Sequence, residues 1–190
     1  MDSASLRRTK QHTATRSAIL GAARTVATRD GAREFSLRGV AAEAGYSPAA
    51  LYGYFRDRDE LLVALAADDL STLSREMREA AGQGLEAAAA AVLDHLRRAE
   101  TIAAASSSFP AGSDESERLF NGRLIAVLKA LSDAAGNPAD SREAQADVVL
   151  IAAALAGLAA LERSGRLEAL GFNAADVLAR LSLRLSGAGP

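Results

Sequence analysis

Apolar positions in the first third of the chain recur at helical spacing and are separated by short polar breaks. Thr15 stands as a cap before a stripe of Ile19, Ala23, Val26 and Ala27 that ends near Gly31, which predicts a first helix. Ser36 caps a second, because a hydroxyl can accept an unpaired N–H, and Leu37, Val40, Ala41 and Ala44 then fall at i, i+3, i+4 and i+7. Gly45 supplies the positive φ of a sharp reversal. Ser47 with Pro48 restarts a helix that Leu51 and Phe55 anchor inward. The pattern is a helix–turn–helix, whose second helix can present its N-terminal and outward side chains to a DNA major groove.

Further on, Asp57 with Glu60 reads as a capping box opening a long helix through Leu61, Leu62, Leu65, Leu73 and Met77 to Gly82. A helix bearing Leu85, Val92, Leu93 and Leu96 is expected to reach about Ala105, where residues 106–112 break it. Asp114 with Glu117 opens a helix of Phe120, Leu124, Val127, Leu128 and Leu131, stopped at Gly136-Asn137-Pro138. Asp140 with Glu143 opens one that runs to about Ser164, nearly all apolar from Val148 to Leu161 and so covered on several sides. Asn173 caps a last helix presenting Val177, Leu178, Leu181 and Leu185. The expected fold class is all-α: a flexible basic arm over 1–14, a helix–turn–helix domain over 15–60, a helical ligand-binding and dimerisation bundle over 61–186 joined by the long helix, and a disordered tail over 187–190.

The segment Leu51-Tyr52-Gly53-Tyr54-Phe55, followed by Leu61-Leu62 within roughly Arg16 to Leu65, resembles the DNA-binding domain of the TetR family of bacterial transcriptional regulators. Weaker likeness extends to Ala154 through Leu167, which is similar to the C-terminal helix of the subgroup named for a Trp and a His-Gly pair. Gly157 matches there, but Ala156 stands where the His would be and the chain has no Trp. The resemblance implies a homodimer paired through two C-terminal helices per subunit. It also implies repression, with a small apolar effector releasing a palindromic operator. A helical protein-interaction or scaffold dimer that keeps the helix–turn–helix only as structure is the alternative.

Composition narrows these readings. Half the residues are hydrophobic and 24% charged, ordinary for a globular protein, and the absence of Cys excludes thiol chemistry and disulfides. Net charge is −2, yet residues 1–60 carry ten Arg or Lys against seven Asp or Glu (+3) and the remainder twelve against seventeen (−5). The basic end suits phosphate contact. No uncharged apolar run is long enough for a membrane span, since Val148–Leu161 stops after 14 residues at Glu162, and no secretory segment is evident, so a cytoplasmic protein is expected. With His12 and His95 the only histidines and no metalloprotease or phosphate-loop pattern, no enzyme activity, metal or cofactor is expected.

Candidate roles follow. Ser47, Pro48, Ala49 and Ala50 are small and lack the bidentate fork that reads guanine or adenine, so base reading here is apolar, with thymine methyl groups as targets. Arg38, off the apolar face, is the candidate for a guanine contact, and Arg7 and Arg8 could add minor-groove or phosphate contacts. By resemblance, Ser36, Tyr52, Tyr54 and Arg58 match positions that contact the DNA backbone or nearby bases. Phe109, Phe120, Leu124 and His95 are pocket candidates, although such stripes also serve as plain core. His95, adjacent to Asp94 and close to Arg98, fits a surface ion cluster better than a ligand contact. Val148, Leu155, Leu158, Val177, Leu181 and Leu185 are the candidate dimer interface, against a purely intramolecular core.

Overall fold

A computed structural model of the chain describes residues 3–31, 34–80, 84–98, 115–134, 136 and 141–185. Among them the structure is all helical: α1 (Ser3–Asp30), α2 (Leu37–Ala44), α3 (Pro48–Leu51), α4 (Arg58–Ala80), α5 (Gly84–Arg98), α6 (Glu115–Ala134), α7 (Arg142–Arg163), α8 (Arg166–Ala169) and α9 (Ala174–Leu185). Two compact units result, residues 1–68 with 100–120 and residues 69–99 with 121–190. The division falls inside α4 at Asp68/Asp69 rather than at the expected 60/61. The reason is visible at that point: Leu61, Leu62 and Leu65 are fully buried, and Asp68 pairs with Arg24 of α1 at 2.9 Å, so the opening turns of α4 complete the first unit.

In the first unit the apolar face of α1 (Ile19, Ala23, Val26) is buried together with Phe35, Val40, Ala41, Leu51 and Phe55. The α1 C-terminus is tied to α2 by Arg29, which holds Asp30 at 2.8 Å and Glu43 at 3.1 Å and, through its hydrogen bond, keeps the Asp30 carboxyl below the usual carboxylate range. Ser36 Oγ accepts from Gly39 N at 3.2 Å, as its spacing predicts.

The expected arm over 1–14 is instead the start of a 28-residue helix, and Thr15 lies within it rather than capping it. Residues 3–14 contain neither Gly nor Pro and include good helix formers, while Thr9 and Thr13 donate their hydroxyls to the carbonyls of Ser5 and Thr9 at 3.1 and 3.0 Å. With no apolar face over this stretch, hydrophobic periodicity had nothing to register.

In the second unit α5 meets α7 and α9, and α8 meets α7. Its core holds Val92, Leu93, Val127, Leu131, Val148, Ile151, Leu155, Leu158 and Leu178. The cap of α7 is Ser141, whose Oγ accepts from Ala144 N at 3.1 Å, one residue beyond the expected Asp140. Asn173 caps α9, accepting from Asp176 N at 3.0 Å. The four-residue α8 is too short to show a period. Arg97 and Glu162 join α5 to α7 through two hydrogen bonds of 2.8 and 2.7 Å. By length and composition alone α7 would also meet the requirement for a membrane span, since an 18-residue window tolerates the single charge of Asp147 that ended the uncharged run. The loop expected over 106–112, Phe109, Asp114 and the tail 187–190 lie outside the described residues.

Candidate nucleic-acid interface

The turn between α2 and α3 is built by backbone chemistry. Gly45 takes φ 71°, the left-handed region that a Cβ disfavours, and its N–H caps the α2 carbonyls of Ala41 and Ala42. Tyr46 N then donates to Ala41 O at 2.9 Å. Ser47 accepts from Ala50 N at 3.2 Å and Pro48 occupies the first turn of α3, where its missing N–H costs nothing. Beyond Leu51 the chain turns again, with Tyr54 N and Phe55 N both donating to Leu51 O at 2.9 Å. At Gly53 a Cβ would stand 3.2 Å from Ala50 O, so the small residue allows this close turn between two tyrosines. Leu51 and Phe55 are pulled fully inside, and the residues left outside include Tyr46, Ser47, Pro48, Ala49 and Tyr52, the last 60% exposed.

Each predicted DNA-contacting residue can now be placed. Ser36, Arg38, Ser47, Pro48, Ala49 and Tyr52 are exposed, and Ala50 and Tyr54 are half-buried. Ser36 and Ser47 each spend their oxygen as cap acceptors, which leaves their hydroxyl hydrogens as donors. Tyr54 is not simply open to a phosphate: its ring stacks on His12 of α1, centroids 4.7 Å apart and planes 26° from parallel. Arg58 departs most from expectation. Its guanidinium donates to Phe35 O at 3.0 Å, lies 5.4 Å from the centre of the Phe35 ring and pairs with Asp59 at 3.2 Å, so it joins the start of α4 to the lead-in of α2. The residue is half-buried among these contacts. Glu60 likewise closes the α4 N-terminus, its own N–H bonded to Asp57 at 2.7 Å and its carboxylate to Arg56 N at 2.7 Å.

Sequence reasoning missed the contribution of α1. Arg16 lies over the Phe55 ring at 5.0 Å and His12 over Tyr54, so two consecutive turns of α1 brace the end of the helix–turn–helix. The signal available was the four-residue spacing of His12 and Arg16.

In the second unit His95 is buried, not part of a surface cluster. Its Nδ1 lies 3.5 Å from Glu76 Oε2, and Nε2 is buried with no hydrogen-bond partner among the described residues. The surface pair beside it is Arg98–Asp94 at 2.7 Å. Burial holds the His95 pKa below its ordinary value, against the pull of Asp69 and Glu76. Leu124 is half-buried in this unit and Phe120 is buried in the first. The expected dimer residues Val148, Leu155 and Leu158 are buried in the subunit's own core, Val177 and Leu181 are half-buried, and Leu185 closes α9. The helical period placed the right residues on one face of α7 but could not tell which of its two apolar faces turns inward. The outward one carries Val149 and Leu150, 55% and 65% exposed, with Ala153, Gly157 and Leu161.

Residues 19–65 match the family model described as bacterial regulatory proteins, tetR family. No curated protein matches the chain in sequence. Among solved structures, a protein described as regulatory, SCO4313, is similar with a TM-score of 0.71 at 21% identity, covering 94% of this chain and 98% of that one. The transcriptional regulator FadR from Bacillus subtilis, solved with stearoyl-CoA, is similar with a TM-score of 0.61 at 14% identity, covering 91% and 98%. BioQ, solved with its double-stranded DNA operator, gives 0.58 at 22%, covering 90% and 98%. Identities this low speak for the fold alone. The family match thus falls on the helix–turn–helix and the helices flanking it, and the solved structures share the all-helical fold over nearly the whole chain.

Proposed function

We propose that the protein is a sequence-specific transcriptional regulator that binds a palindromic operator as a homodimer in the cytoplasm and represses until a small apolar effector releases it. The observation that carries this reading is the exposed edge Ser47-Pro48-Ala49 with Tyr52, held by two side-chain caps and a left-handed glycine directly over a buried core. A short helix fixed so firmly presents side chains rather than filling space. Arg38 reads guanine, Pro48, Ala49 and Ala50 meet thymine methyl groups, and Ser36, Ser47, Tyr52 and Tyr54 set register on the phosphates. Arg58 is assigned the lesser part of holding the fold of the reading head.

Dimerisation is assigned to the outward face of α7 with Leu170, Phe172 and Leu183, which are exposed by 65%, 57% and 48%. So large an apolar surface calls for a partner, and two-fold pairing would set two reading heads one DNA turn apart. The effector is assigned to the second unit, with His95 Nε2 as a polar contact in mainly apolar surroundings. FadR with its acyl-CoA and BioQ with its operator support ligand response and DNA binding as functions this fold can carry. The tryptophan and His-Gly subgroup remains a likeness of one helix, and no effector is inferred from it.

Fluorescence anisotropy on the DNA upstream of the protein's own gene, against a shuffled duplex over a salt series, tests the reading. A large, salt-sensitive preference for the native duplex is expected. Equal, weak binding to both, repeated across other candidate promoters, would favour the scaffold alternative.

A further inference from the structure

The first turns of α1 precede the matched family segment, which begins at residue 19, and their chemistry is one-sided. Over the whole of Ser3–Asp30 there are six cations (Arg7, Arg8, Lys10, Arg16, Arg24, Arg29) and a single acid, Asp30, at the C-terminal end. No acid stands beside Arg7, Arg8 and Lys10 within the helix, and the like-charged Arg7 and Lys10 are three residues apart on one face, a spacing that does not stabilise the helix bearing them. Arg24 and Arg29 are neutralised by Asp68, Asp30 and Glu43, whereas Arg8 and Lys10 are exposed and have no hydrogen-bond or ion-pair partner among the described residues.

Residues 8, 12 and 16 are spaced by four and so lie one above another on a single helix face, about 6 Å apart per step. The lower two rungs are occupied: Arg16 over Phe55 and His12 stacked on Tyr54. Ascending α1 from 16 to 12 therefore follows the chain back from Phe55 to Tyr54, toward the exposed α3 edge. Arg8 is the next rung, exposed and without a hydrogen-bond or ion-pair partner among the described residues. We infer that Arg8 contacts a DNA backbone phosphate flanking the bases reached by α3, that Arg7 and Lys10 reinforce the local field, and that the His12–Tyr54 stack is the positioning contact that holds this extension against the reading head. The inference rests on the DNA-binding reading above. The ligand is fixed by charge: an unbalanced cationic helix end beside a DNA-reading edge complements phosphate.

The test is the full chain with Arg8→Gln, titrated over salt on the native and shuffled duplexes. Losing one phosphate contact should reduce the slope of log K against log salt by about 0.9 and weaken binding about fivefold at physiological salt, equally on both duplexes. Arg8→Lys should restore the slope, and His12→Ala should reproduce part of the loss with unchanged helix content by circular dichroism. An unchanged slope in Arg8→Gln, a loss confined to the native duplex, or failure of Arg8→Lys to rescue would each overturn the inference. Wild-type protein that shows no salt-dependent binding at all would instead count against the regulator reading itself.

Discussion

The two units are built from the same material, alanine- and leucine-rich helices, but by different rules. In the first, almost every break is specified by a residue that does one thing: Ser36 and Ser47 cap, Gly45 reverses the chain, Pro48 starts a helix, Gly53 permits a close turn. In the second, long helices are held by side-chain burial and a few cross-helix ion pairs such as Arg97–Glu162, with Val148, Ile151, Leu155 and Leu158 repeating one theme along α7. A reading head must hold a few side chains in fixed positions, so its backbone is pinned at many points. If the second unit associates and responds to a small molecule as proposed, it needs apolar faces that can be covered in more than one way, and repetition provides them.

Core truncation is the harshest way to separate the two. Phe55→Ala removes a side chain only 1% exposed and should cost about 3–5 kcal/mol in the first unit. DNA binding should vanish on every sequence, while size-exclusion chromatography with light scattering still finds the wild-type association state. Loss of both together would mean that the units are not energetically separable.

The two faces of α7 make the second contrast. Leu155→Ala empties a fully buried position and should lower subunit stability by about 2–5 kcal/mol in denaturant titration. Leu150→Asp, at a site 65% exposed, should leave that stability nearly unchanged yet yield monomers, and with them a large drop in operator affinity. Dimers that survive Leu150→Asp would remove this face from the interface.

These contrasts also mark what could be read from the chain. The helix–turn–helix was legible because its signals are local: a cap, a glycine and a proline each act within four residues. The arm was misread because the first turns of α1 are helical without an apolar face, held by ordinary propensity and by His12 and Arg16 meeting rings some forty residues away. The structural tie of Arg58 was hidden for a similar reason, since its acceptor, the Phe35 carbonyl, is 23 residues distant. On α7 periodicity found an apolar helix but not its orientation, because both faces are apolar and only the packing of α5 and α8 against it decides which is inside.

A smaller effect probes the turn. Gly45→Ala places a Cβ on a residue at φ 71° and should cost about 1–2 kcal/mol, with Gly45→Asn less damaging because Asn tolerates the left-handed region. Thermal melts and operator titrations should rank the variants wild type, Asn, Ala. An Ala variant as stable as wild type would show that the turn is less constrained than its geometry implies.

The mildest test lies in the second unit, where the sequence offered least. His95 is buried between the carboxylate of Glu76 on α4 and its own helix, with Asp69 of α4 acting in the same sense as Glu76 and Arg98 of α5 opposing them; burial outweighs the carboxylates and lowers its pKa. A histidine with a depressed folded pKa binds protons more readily in the unfolded chain, so its contribution is complete above the unfolded value of about 6.5 and is lost as pH falls toward the folded pKa. Stability of the second unit should therefore decline as pH is lowered below about 6.5, and His95→Gln should flatten that part of the profile while lowering the plateau at neutral pH. The first unit buries no histidine, since His12 is exposed, so its reading geometry should not follow the same curve. Operator binding by a stably dimeric protein that tracks the His95 profile would show instead that protonation in the second unit is felt at the reading head, and would place His95 on the path by which the proposed effector acts on DNA binding.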